Sequence, residues 1–108
     1  MREPLLFAEI PGARALPFVP LARPTTVELA AGFSERVFVK RDDRVSDVYG
    51  GNKIRRFELL LGKALDEGAR TLVTVGGLAS TQVTATILLG KAHGLDVTAV
   101  LFDQPRTD

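Results

Sequence analysis

Two short stretches hold most of the side chains able to do chemistry. The first is Gly50-Gly51-Asn52-Lys53-Ile54-Arg55-Arg56. Asn52 is a candidate helix N-cap, which puts three cations in the first turn behind it. That is the electrostatically unfavourable end. A helix start behaves as roughly half a positive charge, and a cation there loses about 0.3–1 kcal/mol. A locally disfavoured choice of this kind marks a functional position. The field disfavours the charged form of an amine, and a neutral lysine amine is the form that condenses with carbonyls. Gly50 and Gly51 would let a planar ligand or another stretch of backbone approach closely. The competing reading is a solvated basic helix start behind a glycine turn, since Lys and Arg are mostly exposed.

The second stretch is Val75-Gly76-Gly77-Leu78-Ala79-Ser80-Thr81-Gln82. A strand ends, two glycines break it, and hydroxyl and amide side chains open a helix. Free N–H groups and the helix dipole suit an anion at such a start, and ligands of open parallel sheets bind beyond the carboxyl ends of strands. The alternative is an ordinary N-cap at Ser80 with glycines serving only the turn. The pattern is neither Gly-x-Gly-x-x-Gly nor a P-loop.

Periodicity supplies the elements that would carry these residues. Residues 36–41 read as a strand, dense in β-branched and aromatic residues, and 42–51 as a loop. From Asn52 a helical period runs through Ile54, Phe57, Leu60, Leu61, Ala64 and Leu65, with Gly68 as its stop. Residues 71–75 form a second strand. A helix capped by Ser80 runs to about His93, with Val83, Ile87, Leu88 and Leu89 as its buried face and Gly94 beyond it. Residues 96–102 form a third strand. The order β-α-β-α-β with short connections is that of a parallel sheet with crossover helices, an α/β fold. Five of the six prolines, Pro4, Pro11, Pro17, Pro20 and Pro24, fall in residues 1–24. That segment reads as an extended or irregular arm lying over a surface, ahead of an α/β unit at 25–108.

Other side chains carry weaker signals. Lys40, Arg41, Asp42 and Asp43 read as salt-bridged loop charge. His93 reads as a helix-end residue. Tyr49 would stack on a ligand or pack against its own loop.

Composition narrows the classes. With 108 residues the chain is one domain by length. It has no cysteine and one histidine, which excludes a disulfide scaffold, a thiolate centre, a cysteine nucleophile and a multi-histidine metal cluster. A formal net charge of +1 gives no global pull toward nucleic acid or an anionic membrane. Residues 71–90 carry no charge, but the glycine pair, the threonines, Ser80 and Gln82 favour a buried strand and helix over a membrane span. The start, Met-Arg-Glu-Pro, has no apolar run of the secretory type, so the expected compartment is the cytoplasm.

Both motifs, in this order and behind Val39-Lys40-Arg41-Asp42-Asp43, resemble the fold-type II pyridoxal-phosphate enzymes. The resemblance is closest to the aminocyclopropane-carboxylate deaminase and D-cysteine desulfhydrase family. It runs from about Pro24 to about Phe102 and includes 71–77 as well as the lysine motif. It implies the N-terminal part of a tryptophan synthase β-like fold. It also implies pyridoxal 5'-phosphate held by Lys53 as a Schiff base, with Lys53 also moving protons. By the same resemblance Asn52, Arg56 and Thr81 lie on the cofactor side, Arg56 near its phosphate. Ser80 has a catalytic and substrate-binding role, and Gln82 lies near the substrate carboxylate. Thr81 stands where the family usually has Asn, and Ala79 where it often has Gln. The implied reaction is deamination or desulfhydration of a small amino acid, releasing ammonia and a 2-keto acid. The full-length form is expected to be a homodimer, and this chain an incomplete portion of it, lacking the later glycine-rich phosphate loop. The competing function is a non-catalytic α/β module that holds an anion at the Ser80 helix start.

Overall fold

A computed structural model describes residues 4–105. In chain order it contains α1 (Leu5–Glu9), a 3₁₀ turn (Pro11–Ala15), β1 (Val27–Leu29), β2 (Phe38–Lys40), a second 3₁₀ turn (Asp42–Arg44), α2 (Lys53–Asp66), β3 (Thr71–Gly77), α3 (Thr81–Ala92) and β4 (Asp96–Phe102).

The α/β reading holds in its second half. β3 and β4 pair in parallel from Thr71↔Asp96 to Gly77↔Phe102, joined by α3 as the crossover. The first strand does not join them. β2 pairs antiparallel with β1, Val27 opposite Lys40 and Leu29 opposite Phe38, as a separate two-stranded sheet. A short reversal through residues 30–37 satisfies an antiparallel hairpin, whereas parallel pairing needs a long crossover. The parallel sheet of the described residues therefore has two strands, not three.

Both long helices end in the same way. Ala69 N–H bonds Ala64 C=O and Gly68 N–H bonds Leu65 C=O. After α3, Leu95 N–H bonds Gly90 C=O and Gly94 N–H bonds Lys91 C=O, with Gly94 at φ +73°. This double bond pattern requires a left-handed residue, which glycine supplies without Cβ strain. His93 adds a bond from Nδ1 to the Leu89 carbonyl at 2.8 Å, so the ring satisfies one of the helix's last acceptors, as a helix-end residue should.

The core comprises Val45, Ile54, Phe57, Leu61, Ala85, Leu89 and Leu95. Leu60, Leu65 and Leu88, expected in it, are exposed. Helical spacing locates apolar positions, but only one face of each helix meets a neighbour. The sheet face formed by Val73, Val75, Val100 and Phe102 is also bare, although parallel sheets are ordinarily covered on both sides. The radius of gyration is 16.5 Å, above the roughly 13 Å of a compact chain this long.

The proline-rich arm is less extended than its composition suggests. Pro4 precedes α1 and Pro11 opens the 3₁₀ turn, both positions where a missing N–H costs nothing. The stretch from Leu16 onward is laid over α2. Val19 N–H bonds the Glu58 carbonyl at 2.9 Å. Leu21 and Ala22 N–H groups both bond Glu58 Oε1, at 3.0 and 2.8 Å. Glu58 is thus a buried carboxylate on the apolar face of α2 that clasps the arm. Among the described residues no helix is long and apolar enough to cross a membrane.

Candidate functional site

Lys53 is the first residue of α2 and half-buried. Asn52 does not cap the helix. Its backbone is already helical (φ −65°, ψ −16°) and its side chain makes no cap bond, so the helix entry is fixed from the preceding loop instead. Asp42 C=O accepts Gly51 N–H at 2.6 Å. Gly51 lies at φ +115°, a conformation that favours glycine. A Cβ on Gly50 would stand 2.4 Å from the Asp43 carbonyl oxygen. The close approach foreseen at these glycines is therefore made by the loop's own backbone. Gly50→Ala is expected to open the loop and cost roughly 2 kcal/mol. Gly12→Ala, where a Cβ meets nothing within 4 Å, should leave the unfolding midpoint in urea almost unchanged.

The three cations at the start of α2 have different fates. Arg55 donates to Asp42 Oδ1 at 3.2 Å. Asp42 also accepts from Thr25 Oγ1 at 2.8 Å and lies 3.7 Å from Lys40 Nζ. Arg56 donates through Nη2 to Gln82 Oε1. Lys53 has no hydrogen bond or ion pair among the described residues. One unfavourable charge is thus neutralised by a carboxylate, one meets a neutral amide, and one amine is left without a partner.

The rest of the charged loop is ion-paired, as its composition suggests. Arg41 grips Asp43 with two bonds at 2.9 and 2.7 Å and reaches Glu28 at 2.7 Å. The hydrogen bond from Arg55, then that from Thr25, holds the Asp42 carboxyl below its usual range. Arg41 does the same to Asp43 and, ahead of Thr26, to Glu28. A carboxyl whose folded pKa is depressed stabilises the fold above its unfolded pKa, about 3.9 for Asp, and loses that contribution as pH falls through the folded value. The contribution of these three carboxyls is therefore expected to be constant above about pH 5 and to be lost progressively below about pH 4. Asp42→Asn should give a shallower acid limb in urea unfolding followed across pH.

On α3, Ser80 is the N-cap, its Oγ accepting Val83 N–H at 3.3 Å. β3 does not break at the glycine pair but runs through it to Gly77, with neither glycine at positive φ. Gly76 is needed for proximity, since a Cβ there would lie 2.8 Å from Ser80 Oγ and 2.7 Å from Val83 Cγ2. Thr81 is exposed, and its carbonyl accepts the Tyr49 hydroxyl at 3.4 Å. Tyr49 also packs against the core, so it joins the loop before Lys53 to the turn after Ser80.

Two contacts, Tyr49–Thr81 and Arg56–Gln82, therefore bring the first turns of α2 and α3 within side-chain reach of each other. Lys53, Arg56, Ser80, Thr81 and Gln82 all stand on those two turns. Asn52 flanks them with its side chain exposed and uncommitted to the helix. The arrangement offers an unpaired amine, a guanidinium with spare donors, two hydroxyls and an amide. That set suits a ligand with both an aldehyde and an oxyanion. Among the described residues no group of acidic or histidine side chains could hold a metal ion. From sequence, Asp42 reads as loop charge and Tyr49 as a residue that stacks on a ligand or packs against its own loop. Their roles depend on partners 13 and 32 residues away, which spacing does not reveal.

A scan against models of protein families matches none of them. Among curated proteins, the chain is 43% identical over 77 residues to a Thermotoga maritima protein named "Putative 1-aminocyclopropane-1-carboxylate deaminase". The matched region is 68% of this chain and 25% of that relative, so the chain spans about a quarter of its length.

Proposed function

We propose that the chain carries two walls of a pyridoxal-phosphate site, in an enzyme of tryptophan synthase β-like fold that deaminates or desulfhydrates a small amino acid. The observation that carries this reading is Lys53. It opens a helix, is half-buried, and has no hydrogen bond or ion pair among the described residues, while the neighbouring Arg55 is ion-paired. The similarity to a protein named as a deaminase supports the reaction class.

When bound, pyridoxal phosphate draws electrons from Cα of the amino acid attached to it. The chain's own residues would do the rest. The Lys53 amine would hold the aldehyde carbon and move a proton at the substrate. Arg56 has N–H donors beyond the one given to Gln82, and these suit a phosphate oxygen. Ser80 Oγ accepts from Val83 N–H, which leaves its own proton to donate to the substrate. Thr81 lies beside it to donate to the cofactor ring oxygen, and Asn52 adjoins Lys53 on the cofactor side. Water enters, and ammonia and a 2-keto acid leave, with sulfide as well where the substrate is cysteine.

The test is titration of the chain with pyridoxal phosphate, followed by absorbance. The expected result is a saturable band of the amine adduct. No band at high aldehyde concentration would overturn cofactor binding by this chain.

A further inference from the structure

Arg56 follows Lys53 by three residues, so the two side chains leave α2 on the same face. Of the three cations on that first turn, Arg55 is neutralised by Asp42. Arg56 is bonded to the uncharged amide oxygen of Gln82. The positive charge left at this helix start therefore resides on Lys53 and Arg56. The Gln82 amide is half-buried, and its helix continues through a side-chain bond from Thr86 to the Gln82 carbonyl at 2.8 Å. Its amide oxygen faces a guanidinium.

An arginine side chain has several free rotations, all of which must be restricted before its planar fork meets a phosphate. A bond that uses one N–H and leaves the others imposes that restriction beforehand. Resting on the pyridoxal-phosphate reading above, we propose that Gln82 is a positioning residue. It holds the Arg56 guanidinium in place for the phosphate monoester of the cofactor and acts on cofactor capture only through Arg56.

The prediction concerns phosphate and not the aldehyde, so two aldehydes separate it from a general structural role. The 108-residue chain is mixed with pyridoxal phosphate or with pyridoxal, the adduct is fixed by borohydride, and the rate of capture at Lys53 is read by peptide mass. The Lys53 amine adds to the aldehyde with loss of water, and hydride then makes the new C–N bond permanent. In Gln82→Met the rate ratio of pyridoxal phosphate to pyridoxal should fall about threefold to tenfold, with pyridoxal capture unchanged. Adding Gln82→Met to Arg56→Met should lower the ratio no further. In the unmodified chain, inorganic phosphate should slow capture of pyridoxal phosphate and not of pyridoxal. An unchanged ratio in Gln82→Met, an equal loss with both aldehydes, or no selective effect of phosphate would overturn the proposal, with Lys53 capture still standing. Absence of capture at Lys53 with either aldehyde would overturn this proposal and the reading it rests on together.

Discussion

Lys53→Ala is expected to abolish capture of pyridoxal phosphate at the start of α2 while leaving unfolding free energy within about 0.5 kcal/mol of the parent. Both halves follow from its position. The residue opens α2 and makes no hydrogen bond or ion pair among the described residues, so its removal breaks no contact of that kind. It also removes a cation from the positive end of a helix dipole and supplies the best helix former, offsetting the lost packing of the aliphatic stem. A structural lysine would behave in the opposite way. Its removal would lower the urea midpoint and leave chemical capture spread over the remaining amines. The measurement pairs absorbance at saturating aldehyde with circular dichroism through a urea titration, on the same protein samples.

Glu58→Ala should cost roughly 3 kcal/mol, because Glu58 is a buried carboxylate that accepts two backbone N–H groups. One carboxylate oxygen receives the N–H groups of Leu21 and Ala22, and these two residues pack against the core. Removing the acceptor leaves two donors in a poorly solvated groove, each worth about 1–3 kcal/mol when unsatisfied. Glu58→Gln keeps an amide oxygen in place and should recover about half of the loss. The neighbouring Gly62 gives an independent approach to the same contact. A Cβ there would stand 2.4 Å from the Pro17 carbonyl oxygen and 2.6 Å from Phe18 N, neither of which is the end of a flexible side chain. Gly62→Ala should therefore lift the same segment. The double variant should lose less than the sum of the two, because a segment can be detached only once. Faster hydrogen exchange at the Leu21 and Ala22 amides would report the detachment directly.

The elements that were legible in the sequence are those specified locally. Ser80 as a cap, Gly94 as a stop and 96–102 as a strand all follow from a few adjacent residues, and the structure reproduces them. The charged loop was legible in part for the same reason, since Arg41 pairs with Asp43 two residues on, whereas its second partner Glu28 and the Thr25 partner of Lys40 lie 13 and 15 residues away. What spacing could not supply was pairing. Val27-Glu28-Leu29 is too short to show alternation, yet it captures β2 into an antiparallel hairpin and so removes it from the parallel sheet. Gly76 and Gly77 read as a break because glycine weakens strands. In the fold the strand keeps them, Gly76 because Ser80 and Val83 leave no room for a Cβ. Prolines near the N-terminus read as extended chain, but at the first turn of a helix or a 3₁₀ turn they start it.

The candidate site divides along the same line. Lys53 and Ser80 stand out because each breaks or fits a local rule, a cation at a helix start and a hydroxyl at a cap. The links that join them, Tyr49 to Thr81 and Arg56 to Gln82, are contacts between elements. A carboxylate at Glu58, four residues after Ile54 and three before Leu61 on an apolar face, was the one visible sign of the arm's clasp. A buried charge at helical spacing implies a partner, even when the partner cannot be named from sequence.

If Lys53 is the amine that captures the cofactor, it must be selected over the chain's other lysines. There are four lysines, Lys40, Lys53, Lys63 and Lys91. Lys40 bonds Thr25, and Lys63 lies 3.8 Å from Glu67, whereas Lys91 is exposed near the end of α3. Simple accessibility would favour Lys91, at the helix end that stabilises a cation. The measurement is substoichiometric pyridoxal phosphate with borohydride fixation, then peptide mapping of every lysine. The label is expected to concentrate on Lys53, and urea to abolish the preference. Label spread over Lys40, Lys63 and Lys91 in proportion to their exposure, with Lys53 undistinguished, would contradict this expectation.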